Sequence, residues 1–333
     1  MRIVIVGVGA MGCLLGARLQ PHAQVMLAGH WPEQIAAIAR NGLYVEHPDG
    51  THTRHVLTAL ALPAALPMAD IALVAVKSRQ TAGAAQAIAR FLAPDGLAVT
   101  LQNGLNNRAT LRASLGPERV TLGVTSEGAT VVAPGRVRHA GHGVTHLGRD
   151  TALEMPQRAR LEKLAEIFCA AGFDTRLVDD TDGLVWGKLA VNAAINPLTA
   201  LLRVPNGFLL EQPALVNVMS RVASEVAAVA ASRGITLPYP DAAARALDVA
   251  RATAANRSSM LQDVDRGAPT EIDAICGAVV RAGGETGIPT PLNTRLWQLV
   301  HQLETGYVPF APGNVAGLLD ELPPLGEPLI ASR

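Results

Sequence analysis

The chain has 333 residues, 49% of them hydrophobic and 17% charged, and its 28 basic and 28 acidic side chains cancel. That balance argues against nucleic acid or an anionic membrane as a partner, and 3% aromatics leave little for base stacking. Length suggests two domains, the apolar content is ample for packed cores, and a small neutral or anionic ligand in a closed pocket fits the composition.

The opening MRIVIVGVGAMGCLLGARL has a single arginine and then an apolar run, the outline of a signal peptide. The basic region is minimal and glycines interrupt the run, so it reads instead as strand, loop and helix. No stretch offers about 18 uninterrupted apolar residues, so no membrane span is expected. Arg2–Val6 is a β-branched run that stops at glycine, a buried strand. Helix follows over Gly12–Leu19, then a short apolar strand over Gln24–Ala28. Leu43–Glu46 and His52–Thr58 read as strands around the Pro48–Gly50 turn. Asp70–Val76 is strongly strand-like. Thr81–Leu92 reads as helix, stopped by Pro94, Asp95 and Gly96, and Leu97–Leu101 as strand. Val120–Ser126, Gly135–His139 and Gly143–Leu147 are shorter strand candidates. Arg158–Ala171 is an amphipathic helix, and Phe173–Val178 a last strand. Beyond Asp182 strand signals vanish. Ala-rich helices are expected over Gly183–Leu202, Pro213–Arg233, Pro240–Ala255, Glu271–Thr286 and Pro291–Thr305, with an irregular Pro-rich tail from Pro309. The pattern predicts an α/β doubly wound, Rossmann-like sheet over residues 1–179 and an all-α domain over 180–325.

Gly7, Gly9 and Gly12 form G-x-G-x-x-G directly after a strand and before a helix. The first glycine permits the tight turn, the second removes a side chain that would block a pyrophosphate, and the third lets helix and strand pack closely. The loop Gly7, Val8, Gly9, Ala10, Met11, Gly12 is therefore a candidate dinucleotide cradle, with the helix N-terminus facing the phosphates. An NAD site places Asp or Glu about 20 residues on. Here the second strand runs into Gly29 and His30, and Glu33 comes late. His30 stands where a ribose 2′-phosphate contact or a solvated loop histidine is equally reasonable. Lys77 and Asn103 each follow a strand, at the end of the sheet where ligands bind. An exposed loop charge and a turn-former before Gly104 are the plainer alternatives.

KLAVNAAINPLTAL, Lys188–Leu201, is apolar except for polar residues four apart. On a helix, Lys188, Asn192 and Asn196 fall within an arc of roughly 80° and span about 12 Å. A buried polar stripe without partners is costly, so the stripe reads as a pocket wall meeting a polar ligand. A lysine there is a plausible proton donor, since burial lowers its pKa. A snorkelling lysine with two hydrogen-bonded core asparagines is the alternative. In NRSSMLQDVDRGAPTEID, Asn256, Ser258 and Ser259 are taken to end one helix. Glu271 starts the next, where it could be no more than a first-turn acid. Cys13, Cys169 and Cys276 show neither a disulfide framework nor metal spacing and read as buried thiols in a reducing cytoplasm. The histidines show no ligand spacing, so no metal is expected.

GVGAMG, KLAVNAAINPLTAL and SSMLQDVDRGAPTEID together resemble the ketopantoate reductase (2-dehydropantoate 2-reductase) family, from the first residues to about Tyr307. The resemblance implies NADPH-dependent reduction of 2-dehydropantoate to (R)-pantoate, on the route to pantothenate and coenzyme A, by a cytoplasmic enzyme. It implies that Lys188 is the catalytic lysine and that Glu271 holds the pantoate-side hydroxyl. It also implies that Asn192, Asn196, Asn256 and Ser259 support substrate. Asn103 would lie beside nicotinamide and substrate, and Lys77 on the cofactor side. His30 replaces the arginine that members commonly place after the second strand. A related 2-ketoacid or β-hydroxyacid dehydrogenase, or a non-catalytic NADP-binding sensor, remain as alternatives. The Ala-rich helices would suit a homodimer.

Overall fold

Buried β-branched residues build the first strand, β1 (Arg2–Val6), whose last four residues are shielded completely. The computed structural model describes residues 1–307 and 310–324. The chain forms two compact units, one of residues Met1–Gln102 and Asn106–Thr181, the other of Asn103–Leu105 and the chain from Asp182 on.

In the first unit β1 is followed by α1 (Ala10–Leu19), β2 (Gln24–Gly29), α2 (Pro32–Asn41), β3 (Leu43–Glu46), β4 (His52–His55), β5 (Thr58–Ala61) and β6 (Ala69–Val74). Then come α3 (Thr81–Ile88), β7 (Leu92–Thr100), α4 (Asn107–Leu115), β8 (Val120–Thr125), β9 (Gly128–Ala133), β10 (Arg136–Gly141), β11 (Thr145–Gly148), α5 (Met155–Ala170) and β12 (Thr175–Val178). Eight strands form one sheet in the order β12-β11-β8-β7-β6-β1-β2-β5, and β4-β3-β10-β9 form a second. From β5 to β8 the neighbours of the large sheet run parallel, while β11 turns antiparallel to β8.

Alternation along β1 sends Ile3 and Ile5 to one face, where they pack with Leu14 and Leu15 of α1 and Leu164 and Phe168 of α5. Val4 and Val6 meet Ala85 and Ile88 of α3 and Leu111 of α4 on the other. Helices on both faces explain why the central strands read as unbroken apolar runs. This is the expected doubly wound architecture.

Several elements differ from expectation. α2 and α4 are helices that the sequence reading does not give, and β9 is an additional strand. The single strand expected over 52–58 is two, β4 and β5, in different sheets. Pro94–Gly96 do not separate a helix from a strand. Pairing with β6 jumps from Ala69↔Leu92 to Ile71↔Leu97, so these residues bulge out within the run of β7. Cys169 is exposed, whereas Cys13 and Cys276 are buried; all three are free thiols.

The second unit is helical: α6 (Asp182–Leu202), α7 (Pro213–Ser232), α8 (Ala242–Ala252), α9 (Ser259–Asp265), α10 (Cys276–Thr286), α11 (Pro291–Glu304) and α12 (Val315–Asp320). α6 is buried on nearly all sides, as a helix that is apolar all round must be. It packs against Val222 and Val226 of α7, Ala246 and Ala250 of α8 and Leu296 and Leu299 of α11. α7 is the one helix among the described residues long and apolar enough to cross a membrane, but Leu215, Val218, Met219 and Val222 along it are completely buried in this core.

α8 ends at Ala252, and Ser258 opens the new helix α9 by accepting a hydrogen bond from the Leu261 N–H (3.1 Å). The segment 256–259 therefore starts a helix rather than ending one. Glu271 lies in a turn, and α10 starts at Cys276. The tail forms α12 where an irregular run is expected, and its Pro309 and residues 325–333 lie outside the described residues.

Glu225 of α7 accepts from the Leu292 N–H (2.9 Å), the Asn293 N–H (3.0 Å) and Asn293 Nδ2 (2.8 Å), capping α11 from a neighbouring helix. Glu225→Ala leaves these donors without acceptors. Urea unfolding should show a loss of about 1–3 kcal/mol; an unchanged midpoint would show that water replaces the cap.

Candidate functional site

The first unit carries a glycine loop between β1 and α1. Gly7 has φ +131°, and a Cβ there would lie 2.6 Å from the Ala75 carbonyl group. A Cβ on Gly12 would lie 1.9 Å from the Gly7 oxygen, so this turn and helix cannot pack with any larger residue. Gly9 differs: a Cβ there would meet nothing within 4 Å. The backbone faces open space at the position where a phosphate would approach. Gly9 is the N-cap of α1, no acidic residue stands in the first turn, and the first helical bond runs from Cys13 N to Gly9 O (2.9 Å). The N–H groups of Ala10, Met11 and Gly12 thus have no acceptor within the helix, and with the helix dipole they fit an anion. Val8 is buried, and Met11 is partly buried.

The end of β2 and the segment after β6 lie around this loop. A Cβ on Gly29, the last residue of β2, would touch the Val8 side chain (2.9 Å), so the end of β2 abuts the loop. His30 follows it and is exposed, and no carboxylate stands there. Lys77, partly buried, comes just after the Ala75–Val76 backbone on which Gly7 packs, and its N–H donates to Gln80 Oε1 (3.3 Å).

The second unit holds the polar stripe. Lys188 and Asn192 are partly buried and Asn196 is 6% exposed, all on α6. The residue before Lys188 is tightly packed. Gly187 lets the 238–239 segment lie directly on α6, since a Cβ there would sit 2.8 Å from the Pro238 ring. The Tyr239 hydroxyl donates to the Gly187 carbonyl (2.6 Å). Burial pushes the Lys188 ammonium down to about 8, although the negative charge of Glu271 pulls the other way.

Glu271 is 8% exposed, and the turn that carries it is tied at several points. Glu304 accepts from the Thr270 N–H (2.7 Å) and Thr270 Oγ1 from the Ile272 N–H (3.2 Å). Asp273 Oδ1 accepts from Trp297 Nε1 (2.8 Å) and lies 2.9 Å from His301 Nε2. Asn103 reaches this turn from the short 103–105 segment: its Nδ2 donates to Glu271 Oε2 at 3.4 Å, and the Leu105 N–H donates to the Ala274 carbonyl. Gly104, at φ +83°, permits the approach, because a Cβ would lie 2.5 Å from the Ala274 oxygen.

Lys188, Glu271 and Asn103 are therefore brought together. Ser258, which is buried, joins α9 to α6 through Thr199 Oγ1 (2.7 Å), one turn beyond Asn196. Ser259 is the first residue of α9, and its side chain and that of Asn256 are exposed. The Asn256 carbonyl accepts from the Asn206 N–H (3.0 Å). Sequence reasoning does not give the supporting set of Tyr239, Asp273, Trp297, His301 and Glu304. Each stands far along the chain from Lys188 in an ordinary helix or loop context, and no local pattern marks it.

A dinucleotide-type glycine loop on a doubly wound sheet and a buried lysine beside a carboxylate on a helical unit are features of a nicotinamide-dependent oxidoreductase. The comparisons are more specific. Residues 3–151 match the family model described as Ketopantoate reductase PanE/ApbA, and residues 180–304 match its C-terminal model. The chain is 39% identical over 303 residues to the 2-dehydropantoate 2-reductase of Halobacterium salinarum, covering 90% of this chain and 98% of the relative. It is 37% identical to that of Archaeoglobus fulgidus, covering 92% and 98%. Among solved structures, a PanE/ApbA family ketopantoate reductase from Ralstonia eutropha superposes with a TM-score of 0.83 at 34% identity over 92% of this chain and 99% of that one. A D-mandelate dehydrogenase bound to NADH and anilino(oxo)acetate gives 0.86 at 27% identity over the same shares. The chain belongs to the ketopantoate reductase family.

Two glycine substitutions separate packing from ligand space. Gly9→Ala should leave the melting temperature within about 1 °C and weaken dinucleotide binding at least about tenfold, by isothermal titration. Gly12→Ala should lower the melting temperature by several degrees, consistent with a forced shift in a packed core. Equal loss of stability in both would mean that Gly9 is a packing residue.

Proposed function

We propose that this protein reduces 2-dehydropantoate to (R)-pantoate with NADPH, in the cytoplasm, as a step toward pantothenate and coenzyme A. The observation that carries this reading is the placement of Lys188 on a helix whose other faces are core, within electrostatic reach of a Glu271 carboxylate that Asn103 contacts; burial there lowers the lysine's pKa. Relatives named 2-dehydropantoate 2-reductase at 39% and 37% identity support the choice of substrate. The absence of a carboxylate at the end of β2, where an NAD site would hold the ribose hydroxyls, supports NADPH over NADH. In this reading His30, exposed just after β2, meets the 2′-phosphate, and Lys77 lies on the cofactor side.

Held by the Gly7–Gly12 loop, a reduced nicotinamide would supply the hydride to C2 of the ketoacid. As the C2–O double bond becomes single, negative charge collects on that oxygen. Lys188 Nζ stabilises the charge and gives its proton to the oxygen, so the product is the alcohol and the lysine is left neutral. The charge exists only on the way to product, so this contact favours the transition state over the ground state. Glu271 accepts from the substrate hydroxyl and orients it, and Asn103 steadies Glu271. Asn192 and Asn196 extend the polar wall along α6, and Ser259 and Asn256 receive the carboxylate at the start of α9. The Gly7–Gly12 loop holds the pyrophosphate.

D-mandelate dehydrogenase is similar over the same share of the chain, so a different 2-ketoacid is the reading to test against. The decisive assay follows oxidation of reduced nicotinamide with 2-dehydropantoate and with benzoylformate, using NADPH and NADH in turn. The expected result is the highest kcat/KM with 2-dehydropantoate and NADPH, and a fall of about 10²–10⁴-fold in kcat for Lys188→Ala with dinucleotide affinity retained. Because the acid must be protonated, kcat/KM for reduction should be flat below about pH 8 and decline above it. A lysine of ordinary pKa would hold the rate until about pH 10. Preference for benzoylformate and NADH would replace this reading with the mandelate type.

A further inference from the structure

Apart from the glycine loop, the first unit carries a second convergence of reactive side chains. Donor atoms of Glu127, His139 and His142 all lie within 4.8 Å of one another. Glu127 sits between β8 and β9, His139 on β10 and His142 just after it. Glu127 is 8% exposed and His139 1%, while His142 is exposed.

The carboxylate of Glu127 is held in place. Its Oε1 accepts from the Gly143 N–H (3.2 Å), its own N–H donates to Thr125 Oγ1 (3.2 Å), and its Oε2 lies 2.5 Å from His139 Nε2. When Nε2 of His139 donates to this carboxylate, Nδ1 is left as a bare lone pair, and that nitrogen is buried without a hydrogen-bond partner. The His142 ring stands edge-on to the His139 ring, with centroids 4.4 Å apart and planes at 76°. A buried carboxylate–imidazole pair would need no third ligand if its role were only to fill the core.

We infer that Glu127, His139 and His142 form a binding site for one divalent transition-metal ion of the zinc class, with water completing its coordination on the exposed side. Two imidazoles and one carboxylate form the N/O set that suits Zn²⁺, Co²⁺ or Ni²⁺, whereas Ca²⁺ and Mg²⁺ take oxygen ligands. Three protein ligands with one open position are ordinary for zinc. The ion takes the place of the proton between Nε2 and Oε2, and that proton moves to Nδ1, so the imidazole stays neutral. Ligand bonds of about 2.0–2.1 Å require those atoms to separate by roughly 1 Å. His142 is exposed, so rotation of its side chain closes it onto the ion while the Gly143 backbone stays bound to Glu127. Arg18 lies near enough for its charge to act on His139. Its repulsion of a cation sets the affinity below that of a closed four-ligand site.

The test uses the whole chain after chelator dialysis. Calorimetric titration with Zn²⁺ should show one ion per chain, and Co²⁺ should give the visible absorption of a low-symmetry tetrahedral site. Glu127→Gln and His142→Ala should each weaken Zn²⁺ binding by at least about tenfold. His142 is exposed, so its variant should keep the wild-type melting temperature without metal. His52→Ala, on an exposed histidine of β4, should bind Zn²⁺ as the wild type does. No uptake at a hundredfold excess of ion would overturn the inference. So would uptake that survives His142→Ala and is lost with His52→Ala, since the ion would then sit on surface histidines.

Discussion

One cation held in an apolar helix governs the second unit. The Lys188 ammonium is withdrawn from water, and next to it a glycine at 187 lets Pro238 and Tyr239 lie directly on the helix. Displacement of its pKa from 10.5 to about 8 corresponds to about 3 kcal/mol in favour of the neutral amine. Removing Glu271 would increase that preference, because its charge favours the protonated lysine. Burial and counter-charge therefore oppose each other, and burial is the larger. Burial favours the neutral amine, and the carboxylate favours the charged one.

That balance depends on where Glu271 stands, and the surrounding fold reads as a set of supports for it. Trp297 and His301 fix Asp273 from α11, Glu304 of the same helix holds the Thr270 N–H, and Asn103 meets the carboxylate itself. α11 in turn is capped by Glu225 of α7. Supporting side chains of this kind limit the freedom of the groups that act on substrate, and geometry within a fraction of an ångström is what such a site requires.

The sequence made some of this legible and hid the rest for identifiable reasons. Gly7, Gly9 and Gly12 are local: spacing, strand and helix lie within a dozen residues, and the structure gives each glycine a distinct steric reason. The stripe Lys188, Asn192, Asn196 is legible because helical period and apolar context are both local. Glu271 was visible as a residue but misplaced at a helix start. The turn 270–275 is shaped by side chains of α11, which no window around Glu271 contains. In sequence the Ser258–Ser259 segment looks like a helix end, since the cap at Ser258 and the end of α8 at Ala252 lie only six residues apart. Pro94–Gly96 looked like punctuation between elements because a bulge in pairing with β6 cannot be seen from β7 alone. Cys169 was expected to be buried like Cys13 and Cys276, but it falls on the solvent side of α5.

The chain contains three lysines, Lys77, Lys163 and Lys188, so the central claim can be read directly. Lysine labelled with ¹³C at the ε position gives three resonances, and Lys188→Arg identifies one of them by its loss. The account predicts that this resonance titrates at about 8 in the protein without ligands. If the Lys188 resonance titrates at about 10.4, as an exposed lysine does, the side chain is hydrated and the account of a buried lysine with a lowered pKa is wrong.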